Sequence, residues 1–283
     1  MKGLDLFSGI GGISLALKPW VQTVAYCEIE PYAQAVLLER MQANDLDFAP
    51  IWDDITTLNR EILDTEIDII FGGFPCQDVS IAGKQAGIKS DTRSGLFFEV
   101  MRLVREFNPK YIFLENVAAI CANGLDTVLR EIAEAGYDAE WCCISAAEVG
   151  APHRRDRWWI LAYSNQTRSQ KEGAELITAG LAGNSSEALA YSKCERMEGL
   201  SHSGEQEASQ SWDLCNHRFP SRPNEPQFEW EPPRCIESGM GRNPSRLPYR
   251  THRIKALGNS VVPQAARKAF EKLMFGGKNE KKP

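Results

Sequence analysis

No apolar run in the sequence approaches the length needed to cross a bilayer, and the amino terminus, Met1-Lys2-Gly3-Leu4-Asp5, lacks a charged segment followed by a long apolar stretch. Neither a transmembrane helix nor a secretory leader is therefore expected, which points to the cytoplasm and away from membranes. Histidine is scarce, at four residues, and the eight cysteines form no Cys-x-x-Cys and stand at no zinc-ligand spacing with the histidines. That pattern predicts no metal site, and it favours reduced thiols in a reducing compartment over a disulfide framework. A positive overall charge is missing as well, the formal net charge being −6. The balance is uneven: residues 1–149 carry −12 and residues 150–283 carry +6, so the second half can present a basic surface to a polyanion.

What is present is a core of ordinary size, 43% of 283 residues being apolar, enough for one large domain or one with a small companion. The amino-terminal part alternates strand-like and helix-like segments. Strands are predicted over 4–7, 23–27, 67–71, 111–114, 141–145 and 157–163, and helices over 12–17, 32–41, 96–107 and 125–135. Alternation on this scale predicts an α/β fold, a parallel-type sheet with helices on both faces. After Ser164 the texture turns polar, with Ser, Asn, Gln, Gly and Pro, yet Trp212, Phe219, Phe228 and Trp230 are too many large aromatics for a purely solvating tail. Residues 165–252 therefore read as a small, irregular, loop-rich domain. An apolar pattern from Ile254 to Met274 then predicts a turn and a helix rejoining the first domain, so that 1–164 and 253–283 form one unit.

Three places in the first unit carry chemistry. Pro75-Cys76-Gln77 follows the β-branched run Ile67–Phe71 and the turn Gly72-Gly73-Phe74. That places a thiol at the carboxyl edge of a sheet, where open α/β folds bind ligands, and proline fixes the backbone before it. Asp5-Leu6-Phe7-Ser8-Gly9-Ile10-Gly11-Gly12 sets a glycine-rich turn between the first strand and first helix, which lets a ligand approach the backbone closely; the full Gly-x-Gly-x-x-Gly spacing is absent. Glu28 closes the second strand about twenty residues on, the position from which a carboxylate accepts hydrogen bonds from ribose hydroxyls, and Asp54 offers an acceptor for an amino group. Glycine turn, Glu28 and Asp54 together point to an adenosine-type ligand.

Taken in order, these segments resemble the cytosine-5 DNA methyltransferases over most of residues 3–164 and 253–266. The matching segments are Asp5–Gly12, Glu28, Asp54-Ile55, Gly73–Gln77, Glu115-Asn116-Val117, Arg154–Arg157 and Ala256–Gln264. The resemblance implies a Rossmann-like, S-adenosylmethionine-dependent methyltransferase sheet with a target recognition domain at 165–252. It implies DNA (cytosine-5-)-methyltransferase activity on double-stranded DNA, by a monomer, with a cognate restriction endonuclease as a further partner. Cytosine carbon 5 is a poor nucleophile, which a thiolate activates by adding to carbon 6. Cys76 is implied as that thiolate. Glu115, held by Asn116 and neighbouring arginines, is implied at the pyrimidine ring nitrogen and amine, with Arg157 at the base carbonyl and Arg155 in the same polar cluster.

By the same resemblance S-adenosylmethionine is held by Phe7, Gly9, Gly11, Glu28, Ile29, Asp54, Ile55, Pro75, Asn259 and Ser260, Ile29 covering the adenine. Ser80, Lys84 and Arg93, in a lid after Cys76, are implied at DNA phosphates around a flipped-out base. Arginines 218, 222, 234, 242 and 246 can serve base edges or phosphates. The chain departs from the family at His153, where glutamine is usual. Two other functions fit the same residues: a tRNA cytosine-5 methyltransferase on this fold, and a non-catalytic DNA-binding relative, which would have no need of Cys76, Glu115 and Arg157 together.

Overall fold

The computed structural model describes residues 1–75, 95–165 and 249–276. Cys76, Gln77, Ser80, Lys84, Arg93 and all but the ends of the expected recognition domain lie outside the described residues.

The elements run β1 (Lys2–Leu6), α1 (Gly12–Leu17), β2 (Gln22–Cys27), α2 (Pro31–Gln42), β3 (Ile51–Trp52), β4 (Ile69–Gly73), α3 (Leu96–Phe107) and β5 (Tyr111–Val117). They continue with α4 (Ile120–Asn123), α5 (Leu125–Glu134), β6 (Tyr137–Ile144), β7 (Arg157–Ser164), α6 (Arg250–Asn259) and α7 (Pro263–Phe275). The strands form one seven-stranded sheet in the order β3-β2-β1-β4-β5-β7-β6.

Side chains alternate across a strand, so a sheet buried on both faces needs apolar residues at successive positions. Here Trp158, Ile160 and Ala162 of β7 enter one core while Trp159 and Leu161 enter the other. The first core is closed by α3, through Phe97, Val100, Met101 and Val104, and by α5, through Val128 and Ile132. The second is closed by Ile13, Ala16 and Leu17 of α1 and by Ala265, Ala266, Ala269 and Phe270 of α7. In that layer Phe113 stacks on Trp159 at 5.3 Å and meets the edge of Phe270 at 5.2 Å. The carboxy-terminal helix is thus part of the first unit's core.

The sheet is mixed where a parallel one was expected. β1 pairs parallel with β2 and β4, and β4 with β5, but β7 runs antiparallel to both β5 and β6. No crossover helix separates β6 from β7, only a short connection with a 3-10 turn at Ala147–Val149, and such a connection reverses the chain. Two further expectations are corrected. Gly72 and Gly73 belong to β4 itself, and Glu115 lies within β5. Both α6 and α7 occupy the stretch where one turn and one helix were read. Among the described residues, no helix is long and apolar enough to cross a membrane.

Candidate active site

At the carboxyl ends of β1, β2, β4 and β5 lies a cavity of about 430 Å³. The turn after β1 forms one wall. Phe7, Gly9 and Gly11 there all have left-handed backbones, with φ of 53°, 55° and 78°. The turn is tied to the end of β2: Ser8 N–H donates to the Cys27 carbonyl at 3.1 Å and Gly9 N–H to Glu28 Oε2 at 2.7 Å. Glu28 Oε1 accepts the Glu30 N–H at 2.8 Å, so one carboxylate bridges the glycine turn and the start of α2. Exposed Ile29 stands beside it, 71% accessible.

The other end of the cavity is acidic and basic at once. Glu115 of β5 is opposite Gly73 in the register of β4, and a Cβ on Gly73 would come within 2.8 Å of Glu115 Oε2. Only glycine leaves that oxygen room. Glu115 Oε1 is ion-paired with Arg157 Nε at 2.7 Å. Burial pushes the Glu115 carboxyl up to about 7, against the opposing pull of Arg157 and Arg155. A carboxylic acid poised there can hold or release a proton at neutral pH.

Arg155, itself at a left-handed φ of 42°, points its guanidinium at α6, donating to the Gly258 carbonyl at 2.8 Å and to the Ser260 carbonyl. Burial, reinforced by Arg157, lowers its pKa. A cation at those carbonyls complements the negative end of a helix.

Of the residues expected in a site, Phe7, Gly9, Glu28, Ile29, Pro75, Glu115, Arg155, Arg157, Asn259 and Ser260 line this one cavity. Gly11, Asp54 and Ile55 are not among its lining residues. Gly11 precedes α1, and a Cβ there would strike Leu46 at 2.4 Å. Ile55 is buried in the α3-side core. Asp54 Oδ1 accepts from the N–H and hydroxyl of Thr56 at 2.9 and 2.8 Å, and those bonds hold its carboxyl below the usual range.

Asn116 does not hold Glu115 as expected. Neighbours on a strand point to opposite faces, and its Nδ2 donates instead to the Phe74 carbonyl at 3.2 Å, fixing the segment that leads to Pro75. Sequence reading missed Glu30, Tyr32, His252 and Lys255, which also line the cavity. His252, Lys255, Ala256 and Asn259 stand at i, i+3, i+4 and i+7, so counting back from Asn259 by helical steps would have found them.

A seven-stranded mixed sheet with helices on both faces and a cavity at its carboxyl edge is the Rossmann-like methyltransferase architecture. More narrowly, the model of the C-5 cytosine-specific DNA methylase family matches residues 1–216, and the chain belongs to that family.

Among its curated relatives, the Type II methyltransferase M.CviJI of Paramecium bursaria Chlorella virus IL3A is 36% identical over 179 residues, 63% of this chain and 46% of the relative. Type II methyltransferase M.HhaI of Haemophilus parahaemolyticus is 34% identical over 176 residues, 60% and 51% of the two chains. Type II methyltransferase M1.ScrFI of Lactococcus lactis subsp. cremoris is 33% identical over 183 residues, 62% and 45%. The chain spans about half the length of the curated relatives it matches.

Proposed function

We propose that the protein is a DNA (cytosine-5-)-methyltransferase, acting on a flipped cytosine in a specific sequence of double-stranded DNA in the cytoplasm. The observation that carries this reading is the buried Glu115–Arg157 pair sharing one cavity with the Glu28–Gly9 turn. A protonatable acid suited to a pyrimidine edge and a turn suited to an adenosine thus line the same cavity.

The residues present fit S-adenosylmethionine. The cavity is of the size that holds a small ligand. Glu28 would meet the ribose hydroxyls, the Phe7–Gly9 turn would approach the ligand by its backbone, Ile29 would cover the adenine, and Asn259 and Ser260 would form the facing wall. When bound, the cofactor supplies an electrophilic methyl group for carbon 5.

The chain's own residues do the rest. Pro75, the residue before Cys76, lines the cavity. The Cys76 thiolate adds to carbon 6 and sends electron density to carbon 5 and toward the ring nitrogen. Glu115, protonated below about 7, donates to that nitrogen while Arg157 fixes its other oxygen. Once carbon 5 carries the methyl group, its proton passes to a base, the electron pair re-forms the 5,6 double bond and the carbon 6–sulfur bond breaks, releasing the Cys76 thiolate. Ser80, Lys84 and Arg93 are assigned to DNA phosphates, and residues 165–252 to sequence recognition. The names of the Type II relatives support a restriction-linked role; the proposal adds a cognate endonuclease as partner and a monomeric enzyme.

Tritium-labelled S-adenosylmethionine incubated with duplex DNA and with tRNA tests the reading: label is expected in DNA alone. Label in tRNA alone, or in neither, would overturn it. Cys76→Ala is expected to abolish transfer while retaining cofactor binding, and turnover by that variant would refute the covalent route.

A further inference from the structure

One wall of the cavity is not held by the core. No residue of α6 is buried, and its Ile254 and Leu257 are exposed to solvent. Its carboxyl end is tied down by Arg155, through the Gly258 and Ser260 carbonyls. Its amino-terminal half touches the opposite rim through a separate set of contacts. Lys255 Nζ pairs with Glu30 Oε2 at 2.5 Å. The Tyr32 ring lies 5.5 Å from His252 and 6.2 Å from Tyr249, which in turn lies 6.2 Å from His252. Glu30 and Tyr32 flank the first residue of α2, directly after Glu28 and Ile29. These contacts therefore join the segment beside Glu28 to the helix that ends at Asn259, and Glu30, Tyr32, His252 and Lys255 all line the cavity.

We propose that Glu30, Tyr32, His252 and Lys255 are positioning residues forming a clasp between α2 and α6, and that this clasp sets how long the cofactor stays bound. The inference rests on the reading of the cavity as the S-adenosylmethionine site. Its two halves answer to different conditions. The ion pair is exposed and is screened by salt, whereas the ring contacts are not ionic and persist. Removing either half frees the middle of α6 to swing while Arg155 keeps its carboxyl end in place, so exchange of cofactor speeds up without loss of the cavity's far wall.

The test is the dissociation rate of labelled S-adenosylmethionine from the full-length protein, chased with unlabelled cofactor. Lys255→Met and Glu30→Gln are expected to raise the rate about two- to fivefold at low salt. The difference should vanish at high salt. Tyr32→Ala should raise it about three- to tenfold at every salt concentration. The charge reversal Glu30→Lys with Lys255→Glu should restore the wild-type rate, as should Lys255→Arg. In the protein without ligand, amide hydrogen exchange in α6 should quicken in Lys255→Met while exchange in β1, β4 and β5 does not change. Wild-type rates in all single variants, or failure of the charge reversal to restore the rate, would overturn the clasp. Failure of the wild-type protein to bind labelled cofactor would overturn the cavity assignment, and the clasp with it.

Discussion

Replacing Glu115 by Gln should flatten the dependence of stability on pH, and the structure sets the size of the effect. The folded chain holds the Glu115 proton up to about 7, whereas the ordinary value is 4.5. Between those two values the folded state binds more protons than the unfolded state, so stability falls as pH rises through this window. Integrated from pH 5 to pH 8, that one group removes roughly 2–3 kcal/mol. Asp5 titrates in the same range: it is buried beneath the glycine turn, where burial pushes its carboxyl up to about 8 against the hydrogen bond from Ser14. The comparison of Glu115→Gln with wild type cancels Asp5, because both proteins contain it. The ion pair to Arg157 forms only as Glu115 ionises, and its pull is already contained in the value of about 7, so it adds no separate correction to the comparison. Urea unfolding at pH 5 and pH 8, followed by the fluorescence of the buried Trp158 and Trp159, reads the difference. The wild-type midpoint should drop by about 1 M more than that of the variant. Equal shifts in the two proteins would show that Glu115 is ionised at pH 5 in the fold, and the acid role assigned to it would fail.

Two further outcomes follow from contacts on either side of that carboxyl. Gly73→Ala places a methyl 2.8 Å from Glu115 Oε2, so methyl transfer should fall by one to two orders of magnitude while cofactor binding, measured by equilibrium titration, changes by less than about threefold. Phe270→Ala empties the position where α7 meets Phe113 and should cost about 3–5 kcal/mol in urea unfolding, with no change in the pH dependence. A loss under about 1 kcal/mol would mean that α7 is not part of the core.

The parts of the fold legible in the sequence are those with a period to read. Helix α3 runs over the predicted residues 96–107 because its apolar positions recur on one face, and the strand containing Ile69–Phe71 is visible from its β-branched run. β6 lies at the sheet edge and begins four residues before its expected start, since its early positions Asp138 and Glu140 carry charge. The α6 helix buries nothing, so no apolar stripe announced it. Within the site, the nearness of Glu115 to the arginines was legible only through the resemblance of the ordered motifs to a family, since the residues lie far apart along the chain. The side of the strand on which Asn116 falls, and the rim formed by Glu30, Tyr32, His252 and Lys255, depend on how separate elements meet, which the order of residues does not state.

The reversal of β7 has a consequence for the accuracy of the site. Arg157 is the first residue of that strand, paired across from Val117 on one side and Ile144 on the other. In a parallel strand over the same span it would sit opposite Tyr111, at the other edge of the sheet and about 14 Å from Glu115. Running backwards delivers it to the acid. The same strand sends alternate large residues into two separate cores, so a slip of one position would exchange Trp158 with Trp159 and leave both layers misfilled. The arginine is therefore indexed by packing on both faces of the sheet at once. The protein's tolerance for error at one guanidinium is no looser than the tolerance of its two cores for a misplaced tryptophan.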